Sequence, residues 1–198
     1  MATIVQITDL HVHRDADGTL LGVPTWDSLD VALALLEREV PDWDRLVLTG
    51  DLAQDEERAT YEALAARLGE RTGRTLMIPG NHDDPSLMRE VFGAAFDPGG
   101  ARFAQVVDGW LLIGLDSHVD GKVSGQVCAD QARWAQRQLD AHPGLPCVLF
   151  VHHPPVAIGT AWLDAMGLDE PEPVHDLVGR NRDRVRAVVC GHVHQDTR

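Results

Sequence analysis

Membrane-length apolar runs are missing from this chain of 198 residues, and cysteines number only three. The first absence argues against a membrane span. The second argues against a disulfide framework: Cys128, Cys147 and Cys190 are odd in number and fit buried thiols in a reducing compartment, with the cytoplasm as the expected setting. Positive charge is scarce too. Seventeen Lys and Arg face 31 Asp and Glu, a formal net charge of −14, so nucleic acid and anionic membranes, which need basic patches, are poor partners. The opening MATIVQITDL has no basic stretch ahead of an apolar one, and it reads as the entry to a strand rather than a signal peptide. An apolar share of 44% and a charged share of 24% suit a soluble globular chain, long enough for one compact domain expected over residues 1–198.

What is present alternates. Residues 3–8, 45–49 and 75–78 are apolar and β-branched, and they predict strands. Between and after them, helices are predicted over residues 25–40, 55–68 and about 85–92. This βαβαβα opening implies a parallel sheet with right-handed crossovers. Residues 103–107 and 110–115 then flank Asp108-Gly109, a two-residue hairpin turn. A helix near 129–141, a strand at 147–151, a weak helix near 174–179 and a strand at 185–190 complete the pattern.

Five short motifs follow the strand-like runs: Asp9-x-His11, Gly50-Asp51, Gly80-Asn81-His82-Asp83, His152-His153-Pro154-Pro155 and Gly191-His192-x-His194. Ligands of parallel sheets collect beyond the carboxyl ends of strands, and Asp9, Asp51, Asn81, His152 and His192 fall there. The glycines before Asp51, Asn81 and His192 let the backbone turn sharply. The two-residue spacing of Asp9 with His11, and of His192 with His194, puts each pair on one side of an extended segment. The donor set Asp9, His11, Asp51, Asn81, His152, His192 and His194 matches what two first-row ions need once water fills the remaining positions. A shared carboxylate bridges two ions about 3.5–4 Å apart in two-metal hydrolases. Thiolates are absent from the set, which disfavours structural zinc. Imidazole, carboxylate and amide donors suit iron, manganese or zinc. Such ions create a locally positive pocket, so the acidic balance leaves a phosphoester substrate open. His82 projects away from Asn81 while staying beside the site, a placement for stabilising the pentavalent transition state or protonating the leaving oxygen.

These blocks, in this order, resemble the calcineurin-like metallophosphoesterase superfamily, whose pattern is DxH, GD, GNH[DE], H and GHxH. The resemblance implies that Asp9, His11 and His194 hold one metal, that Asn81, His152 and His192 hold the other, that Asp51 bridges them and that His82 is the catalytic histidine. It implies His152, not His153, as the ligand of the HHPP block. The implied fold is α/β (α+β in some schemes), a four-layer αββα sandwich of two mixed sheets flanked by helices. The stretches 4–9, 20–28, 49–55, 115–117 and 161–164 are similar to bacterial class III 3′,5′-cyclic AMP phosphodiesterases. They imply a metal-dependent phosphoric diester hydrolase whose metal-bridging hydroxide attacks a phosphodiester, foremost a 3′,5′-cyclic nucleotide such as cyclic AMP. The alternative is a glycerophosphodiester or other small phosphoester, and a non-catalytic scaffold of the same fold is the third reading. Two departures stand out. Residues 167–173 lack the Asn usual after the WLD block, and the sequence stops four residues after His194, where members of the family continue for several strands. The second sheet is therefore expected to be short of strands, with an unpaired edge that a second copy of the chain, as a homo-oligomer, would cover.

A lone histidine near a strand is usually structural and a lone Gly-Asp is usually a turn; the joint order of five blocks is what carries the functional reading. His13, His118, His142, His153 and His175 read as surface or supporting residues, with His153 orienting the loop of His152. Asp83 reads as support for the turn after Asn81, residues 164–172 as a solvated acidic loop, and Trp26 and Trp162 as packing residues, with Trp162 alternatively lining a substrate pocket.

Overall fold

The computed structural model describes residues 2–194. Its chain order is β1 (Ile4–Ile7), β2 (Thr19–Leu20), β3 (Val23–Pro24), α1 (Thr25–Glu39), β4 (Arg45–Leu48), α2 (Arg58–Leu68), β5 (Thr75–Met77) and α3 (Pro85–Phe92). Then come β6 (Phe103–Val107), β7 (Trp110–Leu115), α4 (Ala129–Ala141), β8 (Cys147–Val151), α5 (Ala161–Asp164), α6 (Glu172–Arg180) and β9 (Val185–Val189). Two sheets form the centre. One has the order β1-β4-β5 and is wholly parallel. The other has the order β6-β7-β8-β9 and is mixed, antiparallel only at β6-β7. Mixed direction is thus confined to the second sheet among the described strands.

The sequence pattern explains the layers. Strands covered on both faces need apolar side chains on both, and Leu46, Val47 and Leu48 are all fully buried. Val47, Leu76 and Ile78 of the first sheet meet Phe103, Leu112 and Phe150 of the second in the inter-sheet core. On the outer face of the first sheet, α1 lays down Trp26, Leu29, Leu33 and Leu36 at helical spacing, packed with Tyr61, Leu64 and Leu68 of α2 and Met88 of α3. On the outer face of the second, Trp134, Ala135 and Leu139 of α4 and Val174 and Leu177 of α6 cover Leu111, Leu149 and Val151. The result is a helix–sheet–sheet–helix sandwich.

Local differences from the sequence reading have local causes. The second helix begins at Arg58 rather than residue 55, because the Asp55 carboxylate accepts from the backbone of Arg14 and Glu57 and from Thr60 Oγ1, spending those residues on a turn. The β2–β3 hairpin carries no turn signal in the sequence because its turn places Leu21 (φ 50°) before Gly22 (φ 83°), where Asn or Asp would mark such a turn. Cys128 is exposed, not buried; Cys147 and Cys190 are the sheltered thiols, both pushed up to about 12 by burial. Trp26 packs as expected, whereas Trp162 is 64% exposed and therefore not a packing residue. No helix among the described residues is long and apolar enough to cross a membrane.

Candidate metal centre

The five motifs begin just beyond Ile7, Leu48, Met77, Val151 and Val189, the carboxyl ends of β1, β4, β5, β8 and β9. Two sheets, not one, therefore deliver the side chains. The donors fall into groups. Asp9, His11, Asp51 and His194 bring ligand atoms within 4.8 Å of one another; so do His152, His153 and His192. Asp51 Oδ2 lies 3.5 Å from His11 Nε2 and 3.4 Å from His152 Nε2, between the two groups. His194 Nε2 is 3.2 Å from Asp9 Oδ1 and 3.1 Å from His11 Nε2, and His192 Nδ1 is 3.3 Å from His152 Nε2.

The expected extended geometry of the paired ligands is not what forms. Asp9 (φ 56°), His11 (φ 43°), Asp51 (φ 51°), His192 (φ 73°) and His194 (φ 48°) are all left-handed. Such backbone is costly outside glycine and clusters at functional sites, where surrounding structure holds it. Here the hold is visible: Asp9 N–H donates to Gly50 O (3.0 Å), His11 N–H to Asp51 O (2.9 Å), and His192 N–H to both Asp9 oxygens (3.0 Å each). Of the motif glycines only Gly50 is itself left-handed (φ 100°). Gly80 is required by contact instead, since a Cβ there would stand 2.2 Å from Asp51 Oδ1.

Two of the imidazoles, His11 and His152, are aimed by their other nitrogen. His152 Nδ1–H donates to Thr49 O (2.7 Å) and His11 Nδ1–H to Gln54 Oε1 (2.8 Å), so on both rings Nε2 is the atom that faces Asp51, with a lone pair when the ring is neutral. His153 is different. Its Nδ1 pairs with Ser117 Oγ (2.8 Å) and its Nε2 with Val123 O (3.0 Å), so no lone pair is left for an ion despite its place in the second group. Burial and the neighbouring His152 and His192 push it down to about 3.

Burial alone would raise Asp51, but the hydrogen bond and charge of His152, the His82 backbone N–H and His11 hold it well below the usual carboxylate range. Asp9 is likewise lowered against its burial, by His194, His152 and Thr8. Negative oxygens and imidazole lone pairs that converge while largely shielded from water need a cation between them. Two orphaned atoms point the same way: Asn81 Oδ1 and His192 Nε2 are buried with no hydrogen-bond partner. The donor set fits metal ions.

The sequence understated two residues. Gln54 stands between His11 and His82, its Nε2 3.3 Å from His82 Nδ1. Asp83, 1% exposed, accepts from the backbone N–H groups of Leu52, Ala53 and Gly80 and from Tyr61 Oη, clamping the Asp51 loop to the Asn81 loop. Burial and repulsion from Asp51 raise it to about 6. Asp83→Ala would strand three backbone donors and a buried phenol. A loss of about 3–5 kcal/mol in unfolding free energy is expected from urea titration. A loss below about 1 kcal/mol would remove the clamp.

A sandwich with imidazoles and carboxylates gathered where two sheets' carboxyl ends meet defines the class, a hydrolase that works with bound metal ions. The match is specific: the family model described as calcineurin-like phosphoesterase fits residues 2–196. The chain belongs to that family and is a hydrolase acting on phosphodiesters. It is 33% identical over 194 residues to the 3′,5′-cyclic adenosine monophosphate phosphodiesterase CpdA of Escherichia coli K12, covering 98% of this chain and 70% of that one. It is 29% identical over 196 residues to a probable glycerophosphodiester phosphodiesterase GpdQ of Arcobacter nitrofigilis, covering 97% and 71%. Its fold matches a purple acid phosphatase from yellow lupin at a TM-score of 0.65 and 15% identity, covering 98% of this chain and 38% of that one.

Proposed function

We propose that the chain hydrolyses a 3′,5′-cyclic nucleotide, cyclic AMP being the favoured substrate, at a centre of two metal ions. The observation that carries the reading is Asp51 Oδ2, set 3.5 Å from His11 Nε2 and 3.4 Å from His152 Nε2, while Asn81 Oδ1 and His192 Nε2 of the same set of motifs are buried without a partner. Asp9, His11 and His194 would hold one ion, and Asn81, His152 and His192 the other, with Asp51 shared. Iron, manganese or zinc suits these donors. When bound, the ions supply positive charge toward the phosphoryl oxygens and acidify the attacking water. The chain does the rest. Thr49 O and Gln54 keep the ligating imidazoles in register, Asp83 holds the two loops together, and His82 presents a hydrogen to the oxygens that gain charge. An open cleft of about 1110 Å³ beside Asp9 and His194, walled by Pro155, Val156, Val174 and Val189, supports a substrate of nucleotide size. The free cysteines support a reducing, cytoplasmic setting.

A glycerophosphodiester is the second reading, favoured by the likeness to GpdQ. Metal-loaded protein assayed with cyclic AMP, glycerophosphocholine, bis-p-nitrophenyl phosphate and p-nitrophenyl phosphate separates them. Cyclic AMP is expected to give the highest kcat/KM of the natural diesters. Preference for glycerophosphocholine moves the assignment to the second reading, and inertness toward every diester with iron, manganese and zinc each supplied overturns both.

A further inference from the structure

We propose that Gln54 is a positioning residue that fixes the ring tautomer of His82. Its carboxamide oxygen takes the Nδ1–H of His11, and its amide nitrogen donates to Nδ1 of His82, so the hydrogen of the His82 ring sits on Nε2. The inference rests on the proposed roles of His11 and His82. An amide has one accepting and one donating end. With Oε1 2.8 Å from His11 Nδ1, the nitrogen is the end that meets His82 Nδ1, at 3.3 Å. The reverse orientation would put the His11 hydrogen on Nε2, 3.1 Å from His194 Nε2 and 3.5 Å from Asp51 Oδ2, where ligation needs a lone pair. Ligation by His11 therefore dictates the amide, and the amide dictates the His82 tautomer. Gln54 is itself anchored: its backbone N–H donates to Val12 O (2.9 Å), beside the Val12–Ala53 bridge. The His11 and His82 rings stand edge to face with centroids 5.0 Å apart, so the three side chains form one packed unit.

The hydrogen on Nε2 is the one His82 offers to the phosphoryl and leaving oxygens as they gain charge.

Nitrogen-15 correlation spectra of zinc-loaded protein read the tautomer directly. Bare Nδ1 and protonated Nε2 are expected for His82, reversing at Nδ1 in Gln54→Glu, whose carboxylate can only accept. Gln54→Leu should lower kcat about 10- to 100-fold with KM nearly unchanged. Protonated Nδ1 in the wild-type His82 overturns the proposal. An impaired His82→Ala beside a fully active Gln54→Leu overturns it alone, whereas an unimpaired His82→Ala overturns the role given to His82.

Discussion

Asp51→Ala is expected to lower kcat/KM for phosphodiesters at least about a thousandfold, or ~4 kcal/mol of transition-state stabilisation. The size follows from how many groups this one carboxylate organises. Oδ2 faces His11 Nε2 at 3.5 Å and His152 Nε2 at 3.4 Å, and Oδ1 accepts the His82 backbone N–H at 2.9 Å. The residue is 2% exposed, so water cannot replace it. Without it, two clusters of imidazoles face one another with no negative oxygen between them, and paired ions would repel. Metal analysis should register the change independently of rate, with bound metal per chain falling below the wild-type content. Full metal content with wild-type kcat would exclude Asp51 as the shared ligand.

The second large effect is expected from His82→Ala, with a different signature. Its side chain contacts Gln54 and the edge of the His11 ring but is absent from both donor groups. The backbone N–H that meets Asp51 survives the substitution. Metal content and KM should therefore stay near wild type while kcat falls about 100- to 1000-fold, the usual cost of removing one donor to a charged transition state. The loss should be greater for poor leaving groups, whose oxygen carries more charge. Metal loss in parallel with rate would make His82 a ligand.

Much of this was open to reading along the chain. Buried strands declare themselves as apolar runs because both sheet faces are covered, as at Leu46, Val47 and Leu48. Asp108-Gly109 marks its hairpin because both positions require left-handed backbone (φ 43° and 80°), which these residue types tolerate. Leu21 hides its own turn for the opposite reason. The donor types were equally plain, since little else explains Asp, Asn and His at successive strand ends.

Other features needed the third dimension. His152 and His153 are adjacent, both buried and in one donor group; only Ser117 and Val123, about 30 residues upstream, remove the second from contention by occupying both its nitrogens. The left-handed turn at Asp9 depends on Gly50 O, and the one at His192 on the carboxylate of Asp9. Asp83 looks like a local turn residue until Leu52, Ala53 and Tyr61 are seen to converge on it.

The sequence by itself determined the order of the main sheet strands and of the longer helices, the chemistry of the donors and the class of reaction, because periodicity and ligand type are properties of residues and their neighbours. Tertiary structure alone decided how the two sheets share out the donors, that Asp51 stands between the two groups, and which nitrogens of His11, His152 and His153 are taken. Those outcomes rest on hydrogen bonds between residues far apart in the chain, and a buried polar atom's partner cannot be assigned until the fold has brought the candidates together.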